Sequence, residues 1–255
     1  MSAWPLDLAF PDPFARPVIV ITGSSRGLGR ALALSCGSAG WRVAVHCREH
    51  RAEADSAAAA IAAAGGEALV LQHDVTDPGA AHTIVAHTTS AWGRIDAWVN
   101  NAGVVDDRLL VSTPDATWER MMSVHLSAAR RAIQAVSPVM RGQGGGVILN
   151  VASLAALQGR RGQAHYAAAK AGLIALTRTA ARELGAYGIR VNAVCPPVLD
   201  TDAVGSHADS LRGQQLLPEA VPLTNAAEAI RAILTLPWMT GQTIVLDSRI
   251  PEGAL

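Results

Sequence analysis

PVIVITGSSRGLGRALAL, residues 17–34, decides the fold of this 255-residue chain. A short run of β-branched residues, Pro17 to Thr22, reads as a strand. A glycine-rich turn follows, and from Leu28 to Ala39 the spacing becomes that of a helix. Gly23, Gly27 and Gly29 permit a tight turn and a close approach of backbone N–H groups to a ligand. With Ser25, Arg26 and Leu28 they outline a candidate pyrophosphate site at the positive end of the helix. A merely structural turn is the alternative. The position argues against it, since dinucleotides are bound just after the first strand of an α/β chain.

Outward from this turn, short apolar blocks alternate with long alanine-rich stretches, the rhythm of a parallel sheet with crossover helices. Strands are expected at Pro17–Thr22, Arg42–Cys47, Glu67–Gln72, Ala97–Asn100, Gly146–Val151, Arg190–Val194 and Thr243–Leu246. Helices are expected at Leu28–Ala39, Ala52–Ala64, Gly79–Trp92, Pro114–Met140, His165–Tyr187 and Asn225–Leu236. Gly40, Gly65 and Gly188 stand where helices commonly stop. The fold class expected is α/β, one doubly wound Rossmann-type domain with a parallel seven-stranded sheet flanked by helices. It covers residues 17–255 after an N-terminal extension, 1–16. The stretch from about 196 to 222 lacks periodicity and follows a strand's carboxyl end, so it is expected to be a substrate loop.

Bulk composition narrows the partners. Twenty-one basic and 21 acidic residues cancel, which gives no global field for nucleic acid or an anionic membrane. Cys36, Cys47 and Cys195 are too scattered for a disulfide framework, and no CxxC pair suggests a metal, so a reducing, cytoplasmic setting is expected. The first residues carry prolines and acids rather than a basic patch followed by an apolar block, and no apolar run is long enough to span a membrane.

The second strand ends in Val45, His46, Cys47 and Arg48, with no carboxylate at the place where NAD enzymes bind the ribose 2′-hydroxyl. Arg48 and Arg26 can instead hold a 2′-phosphate through charge-assisted bonds, which favours NADP(H). Two solvated arginines are the alternative. Further on, Tyr166 and Lys170 share one face of a helix, and an ammonium near a phenol favours its ionised form, making Tyr166 a workable acid or base. Ser153 follows an apolar strand and can donate to a substrate oxygen.

TGSSRGLG at 22–29, NNAG at 100–103, Ser153 and YAAAK at 166–170 stand in an order and spacing that resembles the classical short-chain dehydrogenases/reductases. The resemblance runs from about Val18 to Leu246 and is greatest to the 3-oxoacyl-acyl-carrier-protein reductases, through GQAHYAAAKAGLIALTRTAAREL and GIRVNAV. It implies NADPH-dependent reduction of a carbonyl, with Ser153, Tyr166 and Lys170 catalytic. It also implies cofactor contacts from Cys47, Asp74, Val75, Asn101, Ala102, Gly103, Tyr166, Lys170, Pro196, Val198 and Thr201, and a homotetramer.

The chain departs from the family pattern in three places. His125 stands where relatives carry an asparagine that opens the fourth helix for a proton-relay water; it serves as that relay or as a structural, hydrogen-bonded histidine. Pro197 replaces a glycine, and Leu246, Asp247, Ser248 and Arg249 replace a VDGG run. A 3-oxoacyl thioester is the expected substrate, with Arg108, Arg160 and Arg161 as candidates for meeting an acyl-carrier protein. A pteridine reductase, a small-ketone reductase and a noncatalytic NADP-binding scaffold are the alternatives.

Overall fold

The computed structural model describes residues 16–199, 216 and 221–249. Seven strands form one sheet: β1 (Val18–Ile21), β2 (Arg42–Cys47), β3 (Glu67–Gln72), β4 (Ala97–Asn100), β5 (Gly146–Val151), β6 (Ile189–Cys195) and β7 (Thr243–Val245). Their order is β3-β2-β1-β4-β5-β6-β7, and every neighbouring pair is parallel. The expected doubly wound sheet is therefore present, with the chain reversing direction between β1 and β4.

Strand side chains alternate between two cores. Ile19 and Ile21 of β1, Ala97 and Val99 of β4, and Val147 and Leu149 of β5 pack with one group of helices, α1 (Gly27–Ser38), α2 (Arg51–Ala63) and α8 (Leu223–Thr235). Val20, Trp98 and Ile148, the residues between them, face α3 (Ala80–Trp92), α5 (Ala128–Gly142) and α7 (Ala164–Leu184). Both faces are covered, which is why the strands read as nearly continuous apolar runs rather than alternating ones.

One expected element has a more detailed form. The helix foreseen over Pro114–Met140 is α4 (Asp115–Met122), a π-helical turn (Ser123–Ser127) and α5. His125 sits at the centre of that wider turn, where the backbone hydrogen bonds slip by one residue. Two short elements had no periodic signal: α6 (Ala155–Gln158) and a 3₁₀ turn at Leu110–Ser112. The loops leaving the carboxyl ends of the strands meet along one edge and line a cleft of about 1470 Å³.

Candidate active site

The half of the cleft around β1 is shaped to receive an anion. Helix α1 begins without a side-chain cap and with no acid in its first turn, whereas α2 and α4 carry Glu53 and Asp115 there. Its first N–H groups and positive end thus face the cleft uncompensated. Gly23 has φ +66°, a conformation that L side chains rarely adopt. At Gly29 a Cβ would lie 2.4 Å from the Gly23 carbonyl oxygen and 2.5 Å from Asn101 Nδ2, so only a bare backbone allows helix and turn to close up.

Asn101 fastens this cradle: its Nδ2 donates to the carbonyls of Thr22 (2.8 Å) and Gly23 (3.0 Å). The Thr22 hydroxyl accepts from the N–H groups of Asn101 and Ala102, both at 3.0 Å. Gly23, Ser25, Arg26, Gly27, Leu28 and Gly29 all line the cleft. So do Cys47, Arg48, Asp74 and Val75, together with Asn101, Ala102 and Gly103.

At the end of β2 the structure qualifies the sequence expectation. Arg48 lines the cleft but pairs with Glu49 at 2.7 Å and stands 3.9 Å from Asp74. A carboxylate is thus present one residue past the position inspected, neutralising part of the charge assigned to a 2′-phosphate. Arg26 lines the same region and has no ion pair among the described residues.

Across the sheet, Ser153, Tyr166 and Lys170 come together. Ser153 follows β5, while Tyr166 and Lys170 occupy successive turns of α7. Ser153 and Tyr166 line the same cleft, and the Ser153 hydroxyl is near enough to the phenol to favour its ionised form. Lys170 is buried, its Nζ 5.7 Å from the centre of the Tyr166 ring and donating to the Val151 carbonyl at 2.6 Å. Burial pushes the ammonium down to about 8. The same burial raises the Tyr166 phenol, outweighing the opposing effect of Ser153. The expected lowering of Tyr166 by Lys170 is therefore not what the chain's own charges produce. Lysine and phenol are desolvated together, and each is driven toward its neutral form.

His125 is buried beside this pair, its ring edge-on to Tyr166 with centroids 5.0 Å apart. Its Nε2 lies 2.8 Å from the Val104 carbonyl, which makes Nε2 the protonated nitrogen and leaves Nδ1 a buried atom without a partner. Burial, and then the nearby Lys170 charge, push the imidazole down to about 3. His125 and Lys170 also border a small cavity of about 20 Å³ between the π turn and β4, room for one water.

Three comparisons bear on this geometry. The family model described as short chain dehydrogenase matches residues 17–211. The chain belongs to that family. Short-chain dehydrogenases are oxidoreductases that bind a nicotinamide cofactor, and the bare-backbone cradle and uncapped α1 fit its pyrophosphate. This short-chain dehydrogenase is 36% identical over 233 residues to the 3-oxoacyl-acyl-carrier-protein reductase FabG of Staphylococcus epidermidis, spanning 88% of this chain and 95% of that protein. It is also 36% identical over 239 residues to the 3-oxoacyl-acyl-carrier-protein reductase of Synechocystis sp., spanning 90% and 95%. A crystal structure assigned to the short-chain dehydrogenases/reductases, from Burkholderia xenovorans, superposes with a TM-score of 0.84 at 32% identity, covering 92% of this chain and 98% of that one.

Several residues of this dehydrogenase hold the site without having stood out in the sequence. His46 is buried under the glycine turn, where its Nδ1 accepts the Gly23 N–H (3.1 Å) and its Nε2 donates to the His73 carbonyl (3.0 Å). Burial pushes it down to about 4, so it remains neutral and keeps an acceptor for the turn. Trp98, Asn100, Asn150 and Thr177 form a ladder of side-chain bonds of 2.8–2.9 Å from β4 through β5 to α7. Thr177 lies two turns beyond Lys170, so the ladder fixes the register of the helix that carries Tyr166. Asn100 opens the NNAG run, but no motif marks the others, whose only signal is a polar group beside apolar neighbours.

Pro196 and Val198 border the cleft, and Thr201 lies outside the described residues. Among the described residues there is no cluster of metal-ligating side chains and no helix long and apolar enough to cross a membrane.

Proposed function

We propose that this short-chain dehydrogenase reduces a carbonyl to a hydroxyl with NADPH, and that its substrate is a 3-oxoacyl thioester. What carries the reading is the meeting of Ser153, Tyr166 and buried Lys170, its Nζ 5.7 Å from the Tyr166 ring centre, in a cleft that also contains the cofactor cradle. Identity to two 3-oxoacyl-acyl-carrier-protein reductases supports the choice of substrate.

When bound, the reduced nicotinamide supplies a hydride for the carbonyl carbon. Ser153 donates to the carbonyl oxygen and holds it against Tyr166 Oη. Tyr166 gives that oxygen its proton as the carbon is reduced, so the C=O becomes CH–OH and a phenolate is left to be reprotonated. A phenol raised by burial is fully loaded with its proton before the step, as an acid should be. Lys170 uses one donor on Val151 and keeps two for the ribose hydroxyls and the nascent phenolate. His125, through Nδ1 and the adjoining cavity, returns the proton by way of water. Arg26 and Arg48 hold the 2′-phosphate, with Arg48 exchanging Glu49 for the phosphate.

Among the described residues that line the cleft, Tyr166 is the only aromatic ring apart from histidines. That leaves little for a pterin to stack on. The intact catalytic trio argues against a noncatalytic scaffold. Tyr166→Phe tests the mechanism: turnover of 3-oxoacyl thioesters, followed as NADPH absorbance at 340 nm, should fall by about three orders of magnitude or more, with NADPH affinity kept within a few fold. Retained turnover would remove Tyr166 from the acid's role.

A further inference from the structure

Beyond the carboxyl end of β7 the chain carries a guanidinium where its relatives' pattern reads glycine. Cys195 of β6 pairs with Val245 of β7, and the Leu246 N–H donates to the Cys195 carbonyl at 2.9 Å. The residues after β7 therefore run beside Pro196–Leu199, the segment that follows β6, and Arg249 borders the same cleft as Ser153 and Tyr166.

Arg249 is not a free surface arginine. Its side chain is 10% exposed and grips the fully buried Asp247 through Nε and Nη2, and its own N–H also bonds Asp247 Oδ1 at 2.9 Å. This grip occupies one edge of the guanidinium and fixes its plane. Among the described residues the Nη1 edge has no partner and is a preorganised pair of donors, the geometry that reads a carboxylate.

The surrounding charges agree. Among the described residues, Arg108, Arg120, Arg160 and Arg161 line the substrate half of the cleft with Arg249, against one acid, Asp107, which accepts from Gln163 at 2.8 Å. Arg108 is paired with Asp106, but Arg160 is half-buried, acts electrostatically on Tyr166 and has no ion pair among the described residues.

We infer that Arg249, oriented by Asp247, is a specificity-determining residue that selects carbonyl substrates bearing a carboxylate at the end remote from the thioester. This inference rests on the carbonyl-reductase reading of the site and adds the substrate's chemical class.

The test uses two N-acetylcysteamine 3-oxoacyl thioesters of equal length, one ending in methyl and the other in carboxylate. The uncharged thiol keeps carrier charges out of the comparison. The wild-type enzyme should favour the carboxylate by roughly 10- to 100-fold in kcat/KM, the worth of a charge-assisted pair. In the double variant Asp247→Asn, Arg249→Gln, which removes both charges without leaving a bare buried acid, that ratio should collapse to about one. Glutarate with NADP⁺ gives a readout independent of turnover: it should raise the melting temperature of the wild type and not of the double variant.

Equal use of both thioesters by the wild type overturns the inference. So does an equal loss on both in the double variant with a lowered melting temperature, which would make the pair purely structural. If neither thioester turns over while glutarate still protects the wild type alone, the carboxylate site stands and the reductase reading fails. Absence of both signals removes the inference.

Discussion

Burying Lys170 costs this fold stability that a methionine would return. Moving the amine from 10.5 to about 8 corresponds to about 3 kcal/mol against the charged form at neutral pH. Lys170→Met removes that penalty and keeps a straight, apolar side chain, but strands the Val151 carbonyl, at a cost of about 1–3 kcal/mol. At pH 7 the variant should therefore be at least as stable as the wild type, and by up to about 2 kcal/mol more so, while losing turnover.

The pH dependence is the sharper test. The folded pKa lies below the unfolded one, so the unfolded chain binds the extra proton between about pH 8 and 10.5, and wild-type stability rises with pH across that window. Between pH 7 and 9.5 the wild type should gain about 2 kcal/mol relative to Lys170→Met, measured as the difference in urea unfolding free energy at fixed protein concentration. Every other titrating group cancels in the difference. A difference that stays constant over this range would mean the ammonium is solvated in the fold, and the reasoning from burial would be wrong.

Arg48→Asp should turn cofactor preference toward NADH, seen as the ratio of kcat/KM with NADPH to that with NADH. An unchanged ratio would put the 2′-phosphate elsewhere, with Arg26 the next residue to test. Gly29→Ala should weaken cofactor binding by at least tenfold in a fluorescence titration, because its Cβ meets backbone at 2.4 Å and the turn must open; wild-type affinity would contradict the close approach. His46 and His125, lowered to about 4 and about 3, are neutral in the fold and protonate at about 6.5 once unfolded. Stability should be full above pH 6.5 and fall as pH drops toward 4, by about 2.7 kcal/mol per pH unit for the two together, and His46→Asn should remove half of that slope.

How much of this could be read from the sequence differs by kind of residue. The strands and the cofactor and catalytic motifs were legible because each rests on local spacing: short apolar runs, glycines that open a turn, and a tyrosine and lysine one helical turn apart. The π turn was not, since nothing in SVHLS distinguishes slipped hydrogen bonds from ordinary ones; only the fold shows that His125 reaches the Val104 carbonyl from it. Glu49 was passed over for a related reason. Its position one residue beyond β2 says nothing of whether its carboxylate turns toward Arg48, and only the fold brings them to 2.7 Å. His46, Asn150 and Thr177 were hidden among apolar neighbours, because the partner that gives each its role lies 23, 50 or 27 residues away.

These long-range partners also explain why the departures from the family pattern leave the site intact. An asparagine at position 125 would bond the β4 loop through an amide; the imidazole makes that bond through Nε2 and, held neutral by burial, adds no charge beside Lys170. His46 likewise presents one acceptor to Gly23 and one donor to His73, a division of roles that a neutral ring and an amide can both supply. In each case the fold constrains the hydrogen-bond pattern and the absence of charge, and histidine meets both conditions only because it is desolvated. Arg249 is different: a charge has been added where the pattern has none, and a buried carboxylate has been used to aim it. A substitution that merely preserves the fold would not need that partner, which is why the tail after β7, rather than the catalytic trio, is where this dehydrogenase's choice of substrate should be sought.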